Sequence, residues 1–70
     1  MQTKVSEAYL LGISEGRAQL KWHLANGFTF ADYREGEIDN LRTLLSQNPD
    51  DTMRDLYRGS LDFALNQKVV

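Results

Sequence analysis

Seventy residues with a net charge of −2 and no cysteine form one domain at most. A chain this short buries only about 60% of its unfolded surface on folding, so its core is small and self-association is a common remedy. Without cysteine there are neither disulfides nor thiolate zinc sites, and no apolar run approaches the ~20 residues needed to span a bilayer.

The stretch MQTKVSEAYLLG lacks the charged start and long apolar core of a signal peptide. A cytoplasmic protein without membrane association is the expectation. Charge is unevenly placed. Residues 28–51 hold Asp32, Glu35, Glu37, Asp39, Asp50 and Asp51 against Arg34 and Arg42, a local balance of −4, and the segment on either side is +1. An acidic centre argues against nucleic acid, whose binding needs clustered cations to displace counterions. It suits a basic partner surface, or simply a solvated face that keeps the chain soluble.

The first helix is predicted over residues 5–26. Thr3 or Ser6 caps it, and Glu7 favours its positive end. It carries two apolar stripes. Val5, Tyr9, Ile13, Leu20 and Leu24 share one face, as a core-facing helix requires. Leu11, Ala18, Trp22 and Ala25 fall on nearly the opposite face, which a small bundle has no layer to cover. Ala8, Gly12 and Gly16 form a row of small residues that lets another backbone approach closely. Either another helix of the same chain or a partner fills that groove. Trp22 reads as a binding anchor ringed by smaller contacts, or as a residue covered by the third helix. The candidate interface is therefore Leu11, Gly12, Gly16, Ala18, Trp22 and Ala25.

Asn26-Gly27 ends this helix, with Gly27 left-handed and Phe28 folding back onto the last turn. Thr29 and Asp32 then form a capping box, and Phe28 and Tyr33 sit at the positions of a hydrophobic staple. The second helix is predicted over 30–47, antiparallel to the first. Its inward set is Phe30, Tyr33, Ile38, Leu41, Leu44 and Leu45, with Arg34, Glu35, Asp39 and Arg42 facing water.

Asn48-Pro49-Asp50-Asp51 marks the next boundary, because a residue before proline avoids helical geometry and proline suits a first turn. The third helix is predicted over 49–67, with Met53, Leu56, Tyr57, Leu61, Ala64 and Leu65 as its apolar side. Gly36 and Gly59 interrupt helices singly, at crossings or slight bends. The fold class is all-α: a small three-helix bundle, or a helical hairpin plus a third helix, expected to oligomerise.

Little in this chain points to catalysis. His23 is the only histidine, too few ligands for zinc, and no G-x-S-x-G elbow is present. His23 is expected to pack or cap near the end of its helix. Glu35 and Asp39 repeat at helical spacing on a solvent face, without the cleft that paired carboxylates need. No metal, cofactor or enzymatic activity is expected. Lys21, Arg54 and Arg58, with Arg17 beside Lys21, are candidate anion ligands. The helix-turn-helix alternative fails because the second helix opens F-A-D-Y-R-E-G-E, acidic where phosphates would lie.

The phrases A-Y-L-L-G-I-S-E-G-R-A-Q-L-K (residues 8–21) and M-R-D-L-Y-R-G-S-L-D-F-A-L-N-Q (residues 53–67) resemble small uncharacterised proteins of bacteriophages and prophages. The resemblance covers about half the chain and implies no catalytic residue. What it implies is context: short acidic helical phage proteins often bind and block a host protein. The leading expectation is a non-enzymatic protein-binding module, a homodimer, that inhibits a host protein by steric occlusion. Two alternatives stand beside it. One is a helical oligomer holding an anionic nucleotide, with Tyr9 or Tyr57 stacking on the base. The other is a minor structural component of a virion.

Overall fold

The computed structural model describes residues 6–67, and these form three helices: α1 (Glu7–Ala25), α2 (Phe30–Ser46) and α3 (Asp51–Asn66). The all-α three-helix bundle follows the expectation. Val5 and Thr3 lie outside the described residues. Among those described, no helix is long and apolar enough to cross a membrane.

Each helix starts on a side-chain cap. Ser6 Oγ accepts from the Tyr9 amide at 3.1 Å and donates to Asp55 at 2.7 Å, so the cap of α1 also ties it to α3. Thr29 and Asp32 form the reciprocal capping box, both bonds at 3.1 Å. The third start differs from expectation by two residues. Asp50, not Pro49, faces the helix end and accepts from the Met53 amide at 2.9 Å. Pro49 is displaced outside the helix because Asn48 takes a left-handed conformation (φ 59°) that ends α2.

The turn after α1 forms a complete Schellman motif. Gly27 is left-handed (φ 84°), the Phe28 amide donates to His23 O at 2.9 Å, and the Gly27 amide donates to Leu24 O at 3.3 Å. The chain therefore reverses within a few residues, and α2 runs back antiparallel to α1. Arg34 bonds Ala64, whereas Ser6 bonds Asp55 and Gly12 meets Ser60, so α3 is antiparallel to α2 and parallel to α1.

The most extensive packing is between α1 and α3, and the glycine row makes it. A Cβ on Gly12 would lie 2.0 Å from Leu56 O, and one on Gly59 would lie 2.1 Å from Tyr9 O. Ser60 Oγ donates to Gly12 O at 2.7 Å inside this contact. Phe63 covers Gly16. Of the two expected fates for this row, the same chain's third helix fills it. Gly59 is at a crossing, whereas Gly36 faces open space.

That contact turns α1 so that Gly12, Gly16 and Leu20 are its buried row. Tyr9 and Ile13 are half-buried, and Leu24, expected inside, is 48% exposed. The core is small: Leu20, Tyr33 and Ala64, edged by Phe30, Ile38 and Phe63, with Leu41 also buried. Tyr33 is fully enclosed, and burial pushes its phenol up to about 12. Arg34, expected to face water, is half-buried instead, its Nε donating to Ala64 O at 3.2 Å. Met53 and Leu65 remain more exposed than an apolar side of α3 requires.

Candidate protein-contact face on helix α1

The face of α1 opposite Gly12 and Gly16 carries Leu11, Ala18, Trp22 and Ala25, all exposed. Leu11 is 61% exposed and Trp22 55%. Trp22 is packed only on the side of the Schellman turn, and the rest of the second apolar stripe, Leu11, Ala18 and Ala25, is exposed. The two glycines placed in the candidate interface are buried by α3 and are not part of this surface.

The Schellman turn shapes one end of the face. Phe28, folded back by its bond to His23 O, stacks on Trp22 with ring centroids 6.0 Å apart and planes 22° from parallel. His23 lies edge-on to Trp22 at 5.2 Å and to Phe28 at 5.4 Å, and it reaches the buried Tyr33 at 5.7 Å. Its Nδ1 is 2.7 Å from Gln19 O. The ring contacts thus run from core to surface: Tyr33, His23, Phe28, Trp22. His23 takes the middle position of the expected staple, between Phe28 and Tyr33. This chain of rings fixes the Trp22 side chain at low entropic cost, as a contact anchor needs.

The candidate anion ligands stay as two separate one-turn pairs, Arg17 with Lys21 on α1 and Arg54 with Arg58 on α3. Arg54 bonds Asp51 at 2.9 Å and Pro49 O at 3.3 Å, an ordinary pairing at the start of α3. Because α1 and α3 are parallel with Ser6 beside Asp55, Lys21 lies roughly 22 Å further along the bundle than Arg54. Arg58 is exposed and lies one turn from Arg54 on α3. Arg17 sits over the Phe63 ring at 5.8 Å.

Where the three helices meet, a cleft of about 370 Å³ is lined by Glu15, Gln19, Glu37, Asn40, Leu41, Leu56, Tyr57 and Ser60. Burial holds the Glu37 carboxyl above the usual range; His23 partly opposes this and Glu15 adds to it. Two carboxylates and no described cation line this cleft, so it repels a phosphate, and nothing favours a nucleotide there. Tyr9, the other stacking candidate, is tied to Asp62 at 2.5 Å, and that hydrogen bond raises its phenol. Glu35 and Asp39 line an open groove of about 720 Å³ whose described walls all come from α2. Among the described residues, no group of three or more metal-ligating side chains is present.

The sequence pattern missed two contributors. Ser60 extends Gly59, already expected at a crossing, into a small-residue patch that meets Gly12, and its adjacency to Gly59 was the available signal. Glu37 occupies the inward row Tyr33–Glu37–Leu41, a position that its charge disguised. Comparison with protein-family models, with curated proteins and with solved structures gives no match.

Proposed function

We propose that this chain is a non-enzymatic protein-binding module that makes its contacts through the outer face of α1. One observation carries the reading. Trp22 is more than half exposed yet held by a stack with Phe28, on the helix face turned away from the core. An exposed, prepositioned indole with Leu11 and two alanines in line is the composition of a contact hot spot. Leaving such a face in water forgoes burial worth about 25 cal/mol per Å² of apolar area, and a protein surface recovers it. The phage-like phrases support a module that acts on a host protein by occluding it, and the acidic centre suits a basic partner surface.

The test is capture from bacterial lysate on immobilised protein. Wild type and Arg42→Ala, altered on the outer side of α2, should retain the same host protein. Trp22→Ala and Leu11→Ala should lose it while keeping their helicity. Equal capture by all four chains would place the contact elsewhere.

A further inference from the structure

The outer face of α1 has a pattern that matches itself in reverse. Leu11, Ala18 and Ala25 lie seven residues apart in one row, and Glu15 and Trp22 lie seven apart in the adjacent row, with Glu15 at the edge where this face meets the three-helix cleft. Seven residues are nearly two full turns, so each row runs almost parallel to the helix axis. All five residues are exposed. Among the described residues, neither the Glu15 carboxylate nor the Trp22 indole N–H has a hydrogen-bond partner in the monomer.

Resting on the reading that this face contacts protein, we infer that in the free chain its occupant is a second copy, which a host protein would have to displace, with the two α1 helices antiparallel and Ala18 at the two-fold axis. In that register Leu11 of one copy meets Ala25 of the other, large against small. The adjacent row brings Glu15 to Trp22 of the mate, giving the carboxylate a donor and the indole an acceptor. Such a charge-assisted bond is stronger than a neutral one. Ala18 against its own copy lets the helices approach closely at the crossing. A parallel pair has none of this: every residue would meet its own copy, setting Glu15 on Glu15 in a desolvated seam. The charges and sizes therefore select the antiparallel arrangement. Antiparallel pairing also sets the positive end of each helix near the negative end of its mate.

The cysteine-free sequence makes the register directly readable through single cysteines, which cross-link only when their Cα atoms come within about 7 Å. The native, folded chain is oxidised under mild conditions, and its mass is followed in parallel by sedimentation equilibrium. Ala18→Cys should form a disulfide dimer. Leu11→Cys and Ala25→Cys should cross-link when mixed, but Leu11→Cys alone should not, its two copies lying roughly 21 Å apart along the axis. Glu15→Ala should weaken the wild-type dimer without lowering its melting temperature as a monomer. Self-cross-linking of Leu11→Cys would replace the inference with a parallel dimer. A wild type that sediments as a monomer at every concentration would overturn it, while Trp22-dependent capture of a host protein would still uphold the broader reading. A dimer indifferent to both Glu15→Ala and Trp22→Ala would overturn it as well, because another face would then be holding the copies together.

Discussion

Gly12 and Gly59 face each other where α1 crosses α3, so closely that a Cβ on Gly12 would stand 3.0 Å from the Gly59 Cα. The same Cβ would stand only 2.0 Å from the Leu56 carbonyl oxygen, a backbone atom that cannot swing aside. Gly12→Ala and Gly59→Ala should each destabilise by about 1–3 kcal/mol or more, through forced separation of the two helices. Gly36 is the internal control. Nothing lies within 4 Å of its Cβ position, so Gly36→Ala should stabilise by about 0.5–1 kcal/mol. Urea midpoints of the three variants decide the matter; equal effects at positions 12 and 36 would refute the close crossing.

The two helix-ending turns call for different substitutions. Gly27 (φ 84°) should lose about 1 kcal/mol on replacement by alanine, which resists the left-handed conformation. Asn48 (φ 59°) is a non-glycine residue in the same region, so Asn48→Gly should be neutral or stabilising and Asn48→Ala destabilising. Thr29→Ala should cost about 1 kcal/mol by removing one arm of the capping box. Thermal melts would show the order; an alanine tolerated at position 27 without loss would mean a different turn.

Much of this architecture was legible because local chemistry announces itself. Asn26-Gly27 and Thr29-x-x-Asp32 each satisfy backbone groups within a few residues, and both motifs form as the sequence predicts. The rotation of α1 was not legible. Leu24 sits in a regular apolar stripe, yet the depth gained by packing Gly12 on Gly59 outweighs its burial and turns it outward. A hydrophobic pattern counts side chains, whereas this interface is made of their absence. The pattern did foresee an exposed stripe of Leu11, Ala18 and Trp22, and it left open whether α3 or a partner fills the separate row of Gly12 and Gly16, which α3 fills.

Glu37 supplies a pH dependence with a definite sign. Burial raises its carboxyl above the ordinary 4.5, His23 counteracts in part, and Glu15 adds to the rise. The folded chain therefore holds this proton more tightly than the unfolded chain does. Its contribution to stability is greatest below the unfolded value and falls as pH rises through the folded one. Glu37→Gln should be more stable than wild type at pH 7, and the advantage should shrink as pH approaches the ordinary value. Urea midpoints at both pH values test this. A glutamine variant weaker than wild type at neutral pH would mean that the charged form is stabilised.

On the proposed reading Trp22 contributes to association rather than to folding, and one paired measurement separates the two. Melting by circular dichroism and self-association by sedimentation are compared for wild type, Trp22→Ala and Leu20→Ala. Leu20 is buried, so its truncation should cost about 2–5 kcal/mol of stability. Trp22→Ala should forfeit only its ring contacts with Phe28 and His23, about 0.5–1.5 kcal/mol each, while association weakens by roughly thirtyfold or more, as loss of a hot-spot residue implies. A Trp22→Ala chain that melts as low as Leu20→Ala would contradict the outer face of α1 as a protein-contact surface, and one that self-associates as tightly as wild type would contradict it as the surface that joins two copies.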